Sequence, residues 1–365
     1  MTVLIDLLTG EHEPPCLSLY QPTHRSHPQN VQDPIRFRNL VKALAGSLQS
    51  RYPAVDAAAL LGPFHALAAD ERFWNHSLDA LAVFAASGMF SVQRLQRPVG
   101  ELALAAEAFQ VKPLLRIVQS ADRYQILGLS RGGVKLFEGN RDALDEVELD
   151  AAVRQVVADA HASERKRGSS AAWTPHAGAA GLGAGAIVHG GIGGDRRAEV
   201  ERETEKFFRE LDRVLLEHYS RPTALPLILA GLREHRAEFL RVSKNPFVLA
   251  DGIDIHPDAM SRDALRERAW RTIEPHYLAR LAALVEMFGA ARARKLGSDD
   301  LEEVEKSAAA GRVATLLVQA EPMTPATDER LDDLAERVLR ERGQVVVVPV
   351  ARMPVHTGAA AIYRY

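Results

Sequence analysis

A single cysteine, Cys16, stands in a chain of 365 residues. One thiol excludes an intrachain disulfide and any cysteine-based zinc site, and a reducing compartment is its simplest setting. Charge of one sign is lacking too. The 45 Lys and Arg face 48 Asp and Glu, for a formal net charge of -3. That balance excludes a protein that coats nucleic acid through bulk charge, while leaving room for a local basic surface. No uninterrupted apolar run approaches the roughly 20 residues of a membrane helix. The opening segment MTVLIDLLTGEHE has no basic region ahead of its short apolar run, unlike a signal peptide. These absences predict a soluble, cytoplasmic protein with no membrane partner. The 13 histidines include no H-E-x-x-H or comparable ligand spacing. No G-x-S-x-G nucleophile elbow occurs. Gly181, Gly183 and Ala186 fit a loose G-x-G-x-x-A pattern, but it neither follows a strand nor opens a helix. Neither a metal nor a cofactor is expected.

What is present is an ordinary globular profile, 47% hydrophobic and 25% charged, in a length that suggests two or three domains. Residues 1–112 read as an α+β domain. CLSLY (16–20) is a short apolar strand in which Cys16 is a core residue rather than a nucleophile. Asp33 ahead of Pro34 marks a helix start, and residues 55–69 predict a second helix. Leu81 to Phe84 and Phe90 to Leu95 predict strands around Ser87-Gly88.

Residues 113–255 read as an α/β domain. Tyr124 to Leu129 and Val134 to Phe137 flank a glycine turn, a hairpin signal. A long helix is predicted from Arg196 to Tyr219 and is expected to end at Pro222. PLILA (226–230) is a buried strand. Between hairpin and long helix lies a Gly-rich loop over residues 163–195, SERKRGSSAAWTPHAGAAGLGAGAIVHGGIGGD, without amphipathic period. Loops of this length inside a domain are commonly functional. Residues 256–296 form a helical connector, with Pro275 predicting a kink or two helices. Residues 297–365 alternate helix and strand as a compact α/β/α domain. Ser298 is expected to open its first helix, with Glu302 completing a capping box.

The order of these pieces resembles a known superfamily. The hairpin YQILGLSRGGVKLFEGN, the loop ending HGGIGGDRR, the long charged helix and PLILAG are similar to the middle domain of archaeo-eukaryotic peptide-chain release factors and their Pelota relatives. LEEVEKSAAAGRVATLLV and LDDLAERVLRERGQVVVVP are similar to their C-terminal domain. The pattern is nearest the bacterial branch. The resemblance implies a ribonuclease-H-like middle domain and a C-terminal domain related to ribosomal proteins that bind kinked RNA. It further implies partners in the ribosome, ribosomal RNA or tRNA, and a role in ribosome rescue or peptidyl-tRNA hydrolysis. Stop-codon-reading motifs are not visible in the first part.

In release factors the loop carries Gly-Gly-Gln and positions water against the peptidyl-tRNA ester. The matching positions here are Gly193, Gly194 and Asp195. Two glycines permit close backbone approach to RNA, and a backbone N–H can stabilise an oxyanion. Aspartate in place of glutamine brings charge toward phosphate and cannot donate a hydrogen bond when ionised. As a base it is weak, with an ordinary pKa of about 3.9. A structural alternative makes Gly194 and Asp195 the turn and N-cap of the long helix. Arg165, Lys166 and Arg167 at the front of the loop, with Arg196 and Arg197 at its end, suit an RNA backbone or a solvated face. His189 is a loop anchor or RNA contact, and Trp173 a stacking residue or a surface pin. Arg266, Glu267, Glu274 and His276 read as the lining of an interdomain cleft or, more simply, as an ordinary ion-pair network. Two other classes of function stay open: a non-catalytic protein-interaction module, oligomeric state undetermined, and a hydrolase of unrelated mechanism. Against the latter, a magnesium site of ribonuclease-H type needs clustered carboxylates on the sheet, and YQILGLSRGGVKLF has none.

Overall fold

The computed structural model describes residues 7, 10, 12–130, 133–170 and 192–365, with the backbone alone at 130, 163–170, 192–198 and 200. The chain forms two compact units. One combines Met1–Asp122 with His276–Tyr365, and the other is Arg123–Pro275. No helix among the described residues is long and apolar enough to cross a membrane.

The first unit opens with β1 (Cys16–Pro22), α1 (Asp33–Arg51), α2 (Ala57–Ala69), α3 (Glu71–Trp74), β2 (Ala80–Ala86), β3 (Met89–Leu95), β4 (Leu102–Ala106) and α4 (Lys112–Val118). The strands form an antiparallel sheet in the order β3-β2-β1-β4. Residues alternate between its faces, as a pleated strand requires. Leu17, Leu19, Leu81, Val83 and Ala85 meet Phe37, Val41, Leu44 and Phe64 of α1 and α2. Cys16, Tyr20, Ala82, Phe84 and Ala86 take the opposite face. Cys16 is buried as expected, and burial pushes its thiol up. Asp33 opens α1, but its carboxylate turns to the preceding loop. It accepts from the His24 backbone N at 2.7 Å and pairs with His24 Nδ1 at 2.8 Å.

The second unit holds β5 (Tyr124–Ser130), β6 (Gly133–Gly139), β7 (Leu144–Val147), α5 (Ala151–Ser170), α6 (Ile192–Leu215), a π-helical turn (Leu216–Ser220), β8 (Leu227–Gly231), α7 (Arg233–Val242) and β9 (Val248–Ile253). The sheet order is β7-β6-β5-β8-β9. Its first three strands are antiparallel, while β8 and β9 run parallel to β5. This mixed five-stranded order is the ribonuclease-H-like arrangement. Pro222 does not end the long helix. It sits at the start of a further turn after the π-helical one, where its missing N–H costs nothing, and left-handed Ala224 ends the run. Gly231 closes β8 at φ +157, and a Cβ there would lie 2.6 Å from the Leu129 carbonyl oxygen. Gly231→Ala is therefore expected to destabilise this unit by about 1–3 kcal/mol in denaturant unfolding. An unchanged midpoint would show that β5 and β8 can part at that point.

Helix α8 (Arg262–Ala293) is one continuous helix with Pro275 inside it, not two. Its first half buries Leu265, Ala269 and Ile273 on the second unit's sheet. Its second half belongs to the first unit and buries Leu281, Leu284 and Phe288. Then come β10 (Gly297–Ser298), α9 (Leu301–Ala309), β11 (Val313–Gln319), α10 (Pro325–Arg340), β12 (Gln344–Val348) and β13 (Ala359–Tyr363), with sheet order β10-β13-β11-β12. Asp300, not Ser298, caps α9, accepting from the Glu303 backbone N at 3.0 Å, while Ser298 Oγ donates to the Glu303 carboxylate at 2.6 Å. The expected capping box is not formed: the Asp300 N donates to Ser298 Oγ at 3.2 Å, so Ser298 stands between the cap and Glu303. Leu317, Val346, Val348 and Ala360 face α8. Leu316, Val318, Val345, Ala359 and Ala361 face α9 and α10. That second core is continuous with Tyr20, Phe84 and Phe109 of the first sheet, so the two ends of the chain share one apolar interior.

Candidate functional site

Helices α5 and α6 cover one face of the second unit's sheet. Val153 near the start of α5 shares a core with Phe208, Leu211, Val214 and Leu215 near the end of α6, so the helices run antiparallel. Among the described residues, the last apolar side chain of α5 packed there is Val157 and the first of α6 is Phe207. Beyond them lie residues 158–170 and 192–206, roughly 20 Å of helix on each side at 1.5 Å per residue. The pair therefore continues past the sheet as an arm.

The sequence-predicted residues gather at the far end of that arm. Arg165, Lys166 and Arg167 fall in the last turns of α5, and Gly193, Gly194, Asp195, Arg196 and Arg197 in the first turns of α6. The Gly-rich segment is thus shorter than a loop over 163–195, because helix takes both its ends. The physical reason is that a segment rich in glycine, alanine and charge shows no amphipathic period, which makes helix read as loop. Gly194 and Asp195 correspondingly lie inside α6, which begins at Ile192, rather than forming a turn and N-cap before it. His189, Trp173 and the rest of 171–191 lie outside the described residues.

The base of the arm is clamped. Asp212, buried, accepts from Ser243 Oγ at 2.6 Å and from the Lys244 backbone N at 2.7 Å. Asn245 Nδ2 donates to Ser220 Oγ at 2.7 Å. The Tyr219 hydroxyl accepts from the Asp150 backbone N at 2.5 Å, fixing the start of α5 to the π-helical turn. Burial pushes that hydroxyl up. Sequence reasoning missed these residues, though a charged residue between Leu211 and Val214 on the buried stripe was the available signal.

Carboxylates on the sheet are engaged elsewhere. Glu138 on β6 pairs with Arg123 and takes a hydrogen bond from Gln125 Nε2 at 3.4 Å. Burial alone would raise its carboxyl; the Arg123 guanidinium and the Gln125 amide outweigh that and hold it below the usual range. A depressed folded value stabilises the fold above the unfolded pKa and is lost as pH falls through the folded one. Lowering pH from about 5 toward 3 should therefore cost wild type more stability than Glu138→Gln. Parallel acid limbs for the two proteins would disprove the coupling. Among the described residues no group of three His, Cys, Asp or Glu side chains is placed to hold a metal. Arg266 Nη1 donates to the Arg141 carbonyl at 2.6 Å, and Glu267 pairs with Arg271 at 3.6 Å.

The model of bacterial archaeo-eukaryotic release factor family 3 matches residues 123–312. The chain belongs to this family. The family 3 match takes in the whole second unit, the second half of α8 and all of α9. The candidate arm of this family member, α5 and α6, lies entirely within it. No curated protein matches the chain. Among solved structures it is similar to the archaeal translation termination factor aRF1, at 16% identity and TM-score 0.28, covering 100% of this chain and 97% of that one. It is also similar to Saccharomyces cerevisiae Dom34, a translation termination-like factor involved in RNA quality control and interacting with Hbs1, at 10% identity and TM-score 0.40, covering 78% and 79%. A third is archaeal Pelota, ribosome-bound with ABCE1, at 17% identity and TM-score 0.38, covering 99% and 94%. Identities this low convey no residue role.

Proposed function

We propose that this family 3 protein is a ribosome-associated translation factor that presents the far end of the α5–α6 arm to ribosomal RNA or tRNA. The observation that carries the reading is the coincidence of the family match with the arm. The matched segment contains a helical pair whose outer ends carry Gly193, Gly194 and two basic runs, on the order of 12–20 Å of helix from Val157 and Phe207. Arg165, Lys166, Arg167, Arg196 and Arg197 supply phosphate contacts in a protein whose net charge is only -3, so binding is local and salt-sensitive. Gly193 and Gly194 let the backbone approach RNA closely. In peptidyl-tRNA hydrolysis, water attacks the ester carbonyl, a backbone N–H at this site stabilises the oxyanion, and the terminal hydroxyl of the tRNA leaves. Asp195 stands where the release-factor pattern has glutamine and, when ionised, offers an acceptor and no donor.

Sedimentation with ribosomes of the same organism at low and moderate salt tests the association. Comigration should weaken with salt, and neutralising the five basic residues should flatten that dependence, by roughly one unit of slope for each phosphate left without its cation. Protein remaining at the top of the gradient under both salts would reject the reading. Given comigration, release of peptide from peptidyl-tRNA by wild type, Asp195→Ala and Asp195→Gln separates a hydrolase from a factor that only occupies the site.

A further inference from the structure

Strand β3 ends its sheet and, among the described residues, pairs only with β2. Its hydrogen-bonding direction follows from its neighbours. The two-residue turn Ser87-Gly88 makes Ala86 and Met89 a hydrogen-bonded pair, so even-numbered residues of β2 bond toward β3. In the register Ala86↔Met89 to Ala80↔Leu95, Met89, Ser91, Gln93 and Leu95 therefore face β2. Phe90, Val92 and Arg94 direct their N–H and C=O groups outward. Among the described residues nothing pairs with them.

The unit's other edges are treated differently. On β4 the Ala105 backbone N is taken by Ser47 Oγ at 3.1 Å. On β12 the Ala121 N donates to the Val347 carbonyl at 3.2 Å, and the Val347 N to the Gln119 carbonyl at 3.0 Å. β10 is only two residues long. β3 spans seven residues, MFSVQRL, with no proline, no lysine and one charge. Proteins ordinarily guard an open edge of that length and composition.

The sequence of β3 is complementary to itself. Two copies laid antiparallel about Val92 set Val92 against Val92, and both exchange N–H and C=O, because Val92 is an outward residue. Phe90 falls opposite Arg94, again outward against outward. Ser91 meets Gln93, and Met89 meets Leu95, on the other face. Arg94 lies 4.5 Å over the Phe73 ring within the chain, and a Phe90 that is 37% exposed would gain the partner copy's Arg94 as a neighbour. No other centre in the strand matches both bonding direction and side-chain type.

We propose that the protein is a homodimer joined by antiparallel pairing of two β3 strands about a two-fold axis at Val92. The two N-terminal sheets become one, and the interface is isologous, as a closed dimer requires. The inference is independent of the ribosomal reading.

Light scattering of the full-length protein should give twice the 40.0 kDa chain mass. Val92→Pro removes an N–H that the chain itself does not use, and an edge position tolerates proline. It should return the single-chain mass with an unchanged circular dichroism spectrum. Val92→Cys provides a second readout. Residues in a hydrogen-bonded antiparallel pair lie about 5.5 Å apart at Cα, within disulfide reach. Cys16, the only native cysteine, is buried. Mild oxidation should thus link Val92→Cys chains in pairs, while a cysteine at exposed Ala309 should not do so. A single-chain mass across a dilution series overturns the proposal and leaves β3 free for another protein's strand. A dimer that survives Val92→Pro, or no preferential linkage through position 92, overturns it as well.

Discussion

Replacing Phe84 by alanine is expected to cost about 3–5 kcal/mol and to loosen both ends of the chain together. Phe84 is fully buried on β2, edge-on to Tyr20 and to Phe109 with 5.6 Å between centroids in each case. Its deletion removes a ring and two edge-to-face pairs at once. The face it occupies is continuous with Leu331, Leu334 and Val338 of α10 and with Leu316 and Val318 of β11. A cavity there weakens residues separated by more than 200 positions in sequence. Charged contacts reinforce the same seam: Arg116 of α4 bonds to Asp332 at 2.8 Å and Lys112 pairs with Asp333 at 2.7 Å. Hydrogen exchange should speed up in β1, β2, β11 and β13 of the variant, with β5 and β8 of the other unit unchanged. Leu334→Ala, made from the opposite side, should give the same pattern. Faster exchange confined to β1–β4 would mean that the two sheets keep separate cores.

Much of this architecture was legible because short-range chemistry and long-range packing agree. The Ser87-Gly88 hairpin, the Tyr124–Leu129 strand with its partner, PLILA and the apolar β11 and β12 all carry their pattern in the residues themselves. Where they disagree, the sequence misleads. β9, VLADGI, puts Asp251 and Gly252 into a strand because an edge strand need bury only one side. β4, LALAA, is made of helix formers and is a strand because β1 and α1 flank it. Asp33 looks like a cap for its own helix; the loop after β1 competes for the carboxylate and wins it with two bonds from His24. At the candidate site, the identity of the basic and glycine residues was legible, but their place on two helices was not. Residues 163–195 show no amphipathic period. The arm's position is set by a clamp at its base whose members lie far apart in sequence.

That clamp sets the other large effect. Asp212→Ala is expected to lower the stability of the second unit by about 3 kcal/mol. The carboxylate is 4% exposed and receives two bonds, from a hydroxyl and from a backbone N–H. Removing it leaves the Lys244 N–H without that partner and frees Ser243, whose Oγ also accepts from the Asn245 N at 3.2 Å. An unmet buried donor costs more than the bond it made was worth. The loss would propagate, since Asn245 holds Ser220 and the Phe247 N, and the Phe247 carbonyl accepts from the Leu227 N at 2.8 Å at the start of β8. Asp212→Asn keeps one acceptor and should recover only part of the loss. Glu217→Ala supplies the contrast: that exposed carboxylate pairs with Arg213 on the same helix, and its removal should change stability by less than about 0.5 kcal/mol. Chemical unfolding of the three variants decides the matter. Equal, small effects would mean that α6 is held by its apolar stripe alone. A large effect at Asp212 would show that a buried polar clamp, set beside the Phe208–Leu215 core, fixes where the arm begins and hence where Gly193 and Gly194 end up.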